Sequence, residues 1–168
     1  DNYEKEVATI EALLNSRVDG IIASHAKETV NYDHFLKVKE KGIPLILFDR
    51  SNDELEVSHV VIDDFLGAFK ATEHLIQQGC KRIAHITASL QRNVYRDRLR
   101  GYQQAPADRG LAFDQQLLFV NNLDEASGVE AVHAMLAMNP MPDAIFSTND
   151  SSAVVCIREL KKAGVKIP

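Results

Sequence analysis

The chain has 168 residues, of which 45% are hydrophobic and 26% are charged, a composition typical of globular proteins that argues against disorder. Its 19 basic residues against 24 acidic ones leave a net charge of −5, which argues against a protein that works mainly by neutralising nucleic-acid phosphates. Two cysteines are too few for a disulfide framework, and no apolar run approaches the roughly 18 residues of a membrane span or forms a signal peptide. We therefore expect a cytoplasmic domain with no membrane partner.

Hydrophobic residues recur alternately at helical and at strand spacing along the chain. The spacing predicts six helices, over residues 3–16, around Phe35 and Val38, and over 64–78, 95–109, 126–138 and 151–162. Six short apolar runs predict strands over residues 18–23, 43–48, 58–62, 82–87, 117–120 and 144–147. Pro106 is expected to kink the fourth helix or to destabilise it by about 3 kcal/mol.

Strands that are apolar on both faces need helices on both sides, so the sequence predicts an α/β fold with parallel, doubly wound sheets. Between the second and third strands the chain has only a polar stretch at residues 51–54, where a crossover helix is expected. The missing helix indicates that one sheet ends there and another begins. We therefore predict two lobes, with residues 1–50 in the first and 51–168 in the second.

Ligands of open parallel sheets bind beyond the carboxyl ends of the strands. Five such ends carry polar or charged residues, at 24–25, 49–50, 89–98, 121–124 and 149–150. Arginine supplies a fork of N–H donors and aspartate accepts hydrogen bonds from hydroxyls, so together they suit a sugar-like ligand or a small anion. Loops are polar for other reasons as well, and Asp150 at the start of the last helix also fits a helix cap.

The sequence lacks the usual motifs for catalysis and for metal binding. It has no glycine-rich phosphate loop and no Gly-x-Ser-x-Gly turn, and its six histidines and two cysteines show no metal-ligand spacing. Of the histidines, His25 alone is a candidate for the binding site, because it follows a strand. The sequence therefore predicts neither an enzyme nor a metal ion or other cofactor.

Six short motifs follow one another along the chain. They are Val18-Asp19-Gly20-Ile21-Ile22, Gly42-Ile43-Pro44-Leu45 leading to Phe48-Asp49-Arg50, His59-Val60-Val61-Ile62-Asp63-Asp64, Gly79-Cys80-Lys81-Arg82-Ile83-Ala84, Arg98-Leu99-Arg100-Gly101-Tyr102 and Ser147-Thr148-Asn149-Asp150. Each motif is weak alone. In this order and over nearly the whole chain, they resemble the ligand-binding core of LacI/GalR-family transcription regulators.

The resemblance implies two Rossmann-like lobes of the type I periplasmic-binding-protein fold, with an effector in the cleft and an incomplete N-terminal lobe. Leu123 stands where purine-responsive members have an aromatic residue, which favours a sugar over a flat ring. The effector-binding positions that the family implies are Asp49, Arg50, Arg92, Val94, Arg98, Leu123 and Asp150, with Ser24 and His25 as secondary candidates.

The function implied is that of the effector-binding and dimerisation core of a transcriptional regulator that senses a small metabolite, with a sugar as the expected effector. We expect a homodimer that binds operator DNA only through a helix-turn-helix head, which these residues do not include. The alternative is a periplasmic sugar-binding protein of a transport system, which shares the fold and the aspartate and arginine style of recognition.

Overall fold

The computed structural model describes residues 2–167, which form two compact units. Unit 1 runs to Ile62 and includes Arg92–Val94, and unit 2 comprises Asp63–Gln91 and the chain from Tyr95 onward. The elements of unit 1 are α1 (Tyr3–Asn15), β1 (Ile21–Ala23), α2 (Asp33–Glu40), β2 (Leu45–Phe48), a 3-10 turn (Asp53–Leu55) and β3 (Ser58–Val60). Those of unit 2 are α3 (Asp64–Gln77), β4 (Ile83–Thr87), α4 (Asn93–Ala107, whose first two residues belong to unit 1), a 3-10 turn (Gln115–Leu117), β5 (Leu118–Val120), α5 (Glu125–Leu136), β6 (Ala144–Ser147) and α6 (Asp150–Lys162).

Unit 1 contains a three-stranded parallel sheet in the order β1-β2-β3. Side chains alternate between its two faces, so Leu47 of β2 is fully buried while the next residue, Phe48, is exposed. Helices α1 and α2 contribute to the buried side. The core of this unit consists of Ile10, Ile21, Phe35, Val38, Leu45, Leu47 and Leu55.

The third strand belongs to unit 1 because it pairs with β2, with Phe48 opposite Val60. The chain therefore passes into unit 2 at residues 62–63, whereas the sequence prediction placed the division near residue 50. A 3-10 turn makes the crossover for which a helix was expected. Leu55 at the end of this turn is buried in the core of unit 1, so the polar stretch before it lies within a unit rather than between two.

Unit 2 contains a second parallel sheet, in the order β5-β4-β6, with β4 at its centre. All five residues of β4 are buried, as expected for a strand that is covered on both faces. Ile86 belongs to one cluster of buried side chains, with Val132 and Met135 of α5. Ile83 points to the other face and packs with Leu99 of α4. The predicted α/β class with parallel sheets is therefore confirmed.

The helices and strands lie where the hydrophobic spacing predicts them, with ends shifted by a few residues. Pro106 is accommodated in the last turn of α4, which ends one residue later at Ala107. Pro106 has no N–H to donate to the carbonyl group of Tyr102, but the helix ends one residue later, so no long helical segment has to continue beyond it. Within residues 2–167 no helix combines the length and the apolarity needed to cross a membrane.

Helices α3 and α4 approach each other most closely at Gly101. A Cβ atom added to this glycine would lie 2.2 Å from the carbonyl oxygen of Phe65 and 2.8 Å from the backbone nitrogen of Phe69. Both are backbone atoms of α3 and cannot turn away as a side chain can. The close approach keeps α4 in place against α3, and α4 carries Arg98.

We expect Gly101→Ala to lower the free energy of unfolding by about 2 kcal/mol or more, because the new methyl group forces the two helices apart. Gly67→Ala is the matched control, since that glycine lies in α3 with open space around it. The control substitution should raise stability by about 0.5–1 kcal/mol through helix propensity. Urea denaturation followed by circular dichroism measures both. A Gly101→Ala variant as stable as the parent would contradict this packing.

Candidate functional site

Arg98 is the best-defined member of the predicted site in unit 2. Its Nε donates a hydrogen bond to Oδ1 of Asp64 at 2.7 Å, and its Nη1 donates to the carbonyl oxygen of Thr148 at 2.6 Å. Asp64 is buried, whereas the Arg98 side chain is 25% exposed. No residue in the described part of the chain accepts from Nη2, so that nitrogen is available to a ligand.

Asp64 is free to pair with Arg98 because its neighbour caps the helix. Asp63 accepts a hydrogen bond from the backbone nitrogen of Leu66 at 2.7 Å and serves as the N-cap of α3. Asp64 is then the first helical residue, and its carboxylate is turned into the protein. The two adjacent aspartates therefore have different roles, one in capping and one in holding the guanidinium.

Asp150, like Asp64, follows the residue that caps its helix and does not serve as the cap itself. Asn149 is the N-cap of α6, and its side chain accepts a hydrogen bond from the backbone nitrogen of Ser152 at 2.9 Å. Asp150 is the first helical residue, is exposed, and has no ion pair or hydrogen-bond partner for its carboxylate among residues 2–167. It lies two residues from Thr148, whose carbonyl group binds Arg98. The structure thus places a guanidinium and a free carboxylate near the carboxyl end of β6.

Leu123 has a left-handed backbone, with φ of +57°, in the turn after β5. Such a conformation is uncommon for a residue other than glycine, and it occurs often at functional sites. The backbone nitrogen of Leu123 donates to Oδ1 of Asn121 at 2.9 Å, which stabilises the turn. The Leu123 side chain is buried in the core of unit 2, with only 6% exposed, so it offers little surface to a ligand.

In unit 1, Asp49 and Arg50 follow β2, and Asp49 also has a left-handed backbone, with φ of +59°. The side-chain amide of Asn93 holds this turn: its Nδ2 donates to the carbonyl oxygen of Asp49 at 3.1 Å, and its Oδ1 accepts from the backbone nitrogen of Ser51 at 3.2 Å. The carboxylate of Asp49 lies 3.6 Å from Nε of Arg50 and is about half exposed.

The remaining predicted residues of unit 1 are more deeply buried. Arg92 donates to the carbonyl oxygens of Lys27 and Thr29, and Val94 is buried. His25 is almost fully buried, and burial lowers its pKa, as does the nearby Arg92 guanidinium to a smaller extent. Among residues 2–167, the buried Oγ atom of Ser24 and the buried Nε2 atom of His25 have no hydrogen-bond partner. The predicted site residues are thus divided between two groups, one in each unit.

His85 lies in the centre of the unit 2 sheet, on β4. Its ring stacks between those of Tyr102 and Phe146, with centroids 4.7 Å away on each side, and its Nδ1 faces the carbonyl oxygen of Phe146 at 3.0 Å. Burial, assisted by the positive charge of Arg98, lowers the pKa of His85 from 6.5 to about 4. The ring is therefore neutral at pH 7. In the part of the chain that the structure describes, no three potential metal ligands come together.

Comparison with known proteins places this geometry in a family. The model of the family "Periplasmic binding proteins and sugar binding domain of LacI family" matches residues 1–168. The chain belongs to this family. The LacI-family relatives include the transcriptional regulator GalR of Salmonella typhimurium, which is 34% identical over 168 residues, or 99% of this chain and 48% of the relative. This chain spans about half the length of the curated relatives it matches.

Solved LacI-family structures have the same fold. The transcription regulator CcpA of Lactococcus lactis matches with a TM-score of 0.88 and 28% identity, over all of this chain and 60% of that one. The complex of the regulator CelR with cellobiose matches with a TM-score of 0.85 and 27% identity, over 99% of this chain and 51% of that one. The resemblance that the sequence motifs predicted is therefore confirmed, together with the periplasmic-binding-protein-like fold.

Sequence reasoning missed three residues that organise the two groups. Asp64 was recognised only as part of a family motif, although the pair of aspartates before a helix was a usable signal, because one N-cap needs only one of them. Thr148 contributes a backbone carbonyl, which the sequence does not single out. Asn93 lies among the polar residues after β4, and nothing local shows that its amide reaches the turn after β2.

We expect the free energy of unfolding to fall by about 2 kcal/mol between pH 7 and pH 5 on account of His85. The unfolded histidine binds a proton below about pH 6.5 and the folded one only below about 4, so acid favours the unfolded state between those values. Urea denaturation at several pH values measures the slope. His85→Gln should flatten it, while His133→Gln, a change at an exposed position on α5, should not. Equal slopes in the parent and in His85→Gln would contradict the buried, neutral state of this ring.

Proposed function

We propose that this chain is the effector-binding core of a LacI-type transcriptional regulator, and that its effector is a neutral, hydroxyl-rich small molecule such as a sugar. The observation that carries the proposal is the arrangement around Arg98. A guanidinium fixed by Asp64 keeps Nη2 available, and the free carboxylate of Asp150 lies at the next helix start. A donor and an acceptor of this kind suit neighbouring hydroxyl groups, each of which both donates and accepts.

The charges of this group favour a neutral ligand over an anionic one. Asp64 neutralises Arg98 at 2.7 Å, and Asp150 adds a negative charge without a partner among residues 2–167. One arginine and two aspartates give this group a formal charge of −1. A phosphate or carboxylate ligand would meet a guanidinium already paired and a carboxylate that repels it.

The relatives also support a regulator that binds a sugar. The named relatives are transcription regulators, which favours this function over the alternative of a periplasmic transport protein. One structure with a similar fold is a complex with cellobiose, and another relative is a ribose operon repressor. We therefore include both sugars among the candidate effectors of this chain.

In the full protein, the effector would change the affinity for operator DNA through a helix-turn-helix head outside residues 1–168. Such a regulator acts in the cytoplasm, and we propose that it is a homodimer, as its resemblance to the LacI/GalR family implies. An effector shifts an equilibrium between conformations only by as much as it prefers one of them. A useful switch needs a coupling of about 1–3 kcal/mol between effector and DNA binding.

Calorimetric titration of the full protein with ribose, galactose, cellobiose and ribose 5-phosphate tests the proposal. We expect one of the neutral sugars to bind, and to bind more tightly than the phosphorylated one. Arg98→Ala and Asp150→Ala should each weaken that binding at least about tenfold, because each removes a hydrogen bond to a charged group, worth about 1.5–3 kcal/mol.

Arg96→Ala is the matched control, since this arginine lies on the same helix with its side chain 53% exposed and should leave affinity unchanged. Two results would count against the proposal. One is unchanged sugar affinity in both Arg98→Ala and Asp150→Ala. The other is tighter binding of the phosphorylated sugar than of every neutral one.

A further inference from the structure

The loop between β1 and α2, residues 24–32, is held from one side by Arg92. Nε of Arg92 donates to the carbonyl oxygen of Lys27 at 3.0 Å, and Nη2 donates to the same oxygen at 2.7 Å. Nη2 also donates to the carbonyl oxygen of Thr29, and Nη1 donates to the hydroxyl of Tyr32 at 3.1 Å. Arg92 is only 5% exposed, so these contacts take place away from water.

Glu6 of α1 holds the same loop through its donors. Its carboxylate accepts hydrogen bonds from the backbone nitrogen of Ala26 and, at 2.9 Å, from Oγ1 of Thr29. It also contacts Nε2 of His34 at 2.7 Å. Thr29 is fully buried and is bound on both sides, by Glu6 through its hydroxyl and by Arg92 through its carbonyl oxygen. The loop therefore lies between a carboxylate that accepts and a guanidinium that donates.

The guanidinium of Arg92 has little capacity left for a ligand. An arginine side chain has five N–H groups. Four of them are used by the contacts to Lys27, Thr29 and Tyr32, which leaves one N–H on Nη1. Arg98 differs, because its Nη2 has no partner among residues 2–167 and its side chain is more exposed. Arg92 and Arg98, two of the three arginines that the family resemblance assigns to the effector, thus have different surroundings.

We propose that Arg92 is a positioning residue, which fixes the loop that follows β1 in unit 1 rather than binding the effector. The loop begins with Ser24 and His25, whose buried Oγ and Nε2 atoms have no hydrogen-bond partner in the part of the chain that the structure describes. The ring of His25 packs edge-on against Tyr32, which itself accepts a hydrogen bond from Arg92. Arg92 therefore fixes the middle and the C-terminal end of the loop that carries these two groups, at Lys27, Thr29 and Tyr32. The relevance of Ser24 and His25 to effector binding rests on the proposed function, whereas the fixing of the loop by Arg92 does not.

Hydrogen exchange measured by mass spectrometry on the full protein, with no ligand added, tests the proposal. We expect Arg92→Ala to speed amide exchange within residues 24–32 at least about tenfold, since it removes several buried hydrogen bonds to a charged group. Arg92→Lys should recover only part of the protection, because an ammonium group lacks the planar fork. Arg96→Ala is the control. Exchange in residues 24–32 of Arg92→Ala within twofold of the parent would overturn the proposal.

A second measurement reports on His25 itself. Because burial and the charge of Arg92 both lower the pKa of His25, Arg92→Ala should move its titration, followed by NMR, toward the ordinary value of 6.5. Arg98→Ala should leave the pKa of His25 unchanged.

If Arg92→Ala unfolds the whole protein, Tyr32→Phe tests the positioning role instead, because it removes only one of the hydrogen-bond partners of the Arg92 guanidinium. It should speed exchange in residues 24–32 about threefold, with no change in β4 or α5, and unchanged exchange would refute the role.

Sugar binding separates this proposal from the proposed function. If Arg92→Ala weakens binding of the sugar that binds best while exchange in residues 24–32 stays as in the parent, Arg92 is a direct contact and the positioning role is wrong. If no sugar binds but the exchange and titration results are as expected, the role of Arg92 in fixing the loop stands and the proposed effector class is wrong.

Discussion

The ion pair between Arg98 and Asp64 connects the elements of unit 2 that carry its candidate binding site. Arg98 lies on α4, Asp64 begins α3, and the carbonyl oxygen of Thr148 belongs to the turn between β6 and α6. One guanidinium therefore fixes three segments that are far apart in the sequence. Its position depends in turn on Gly101, which lets α4 approach α3 closely, and on Asp63, which caps α3 and leaves Asp64 free.

Several polar side chains at the predicted site are already used in contacts within the protein, which limits the chemistry of the site. Three arginines stand at positions that the family resemblance assigns to the effector: Arg92 is used to hold a loop, Arg98 is already paired with Asp64, and Arg50 lies 3.6 Å from the carboxylate of Asp49. Asp150 is left with a free carboxylate because Asn149 takes the capping role. The unit 2 group, with one available guanidinium nitrogen on Arg98 and the carboxylate of Asp150, can exchange hydrogen bonds with a polyol and has little positive charge to offer an anion.

The sequence was sufficient for the order of helices and strands, because each apolar run is short and each helix shows its own spacing and end signal. It was also sufficient to place Asp150 shortly after the sixth strand and Arg98 in the polar stretch that follows the fourth. The extent of unit 1 could not be predicted, because a 3-10 turn with the buried Leu55 makes a crossover that carries no helical pattern. Nor could the partners of Arg92 and Arg98 be predicted, since several are backbone carbonyl groups, which every residue has.

A double-mutant cycle between Asp64 and Arg98 tests the central claim most directly. The free energies of unfolding of the parent, Asp64→Ala, Arg98→Ala and the double variant give the coupling between the two side chains. We expect a coupling of about 1.5–3 kcal/mol, as for a charged hydrogen bond with a buried partner, against about 0.5 kcal/mol for the exposed Arg96 and Asp97 pair. A coupling for Asp64 and Arg98 no larger than that of the exposed pair would show that the guanidinium is not held as described.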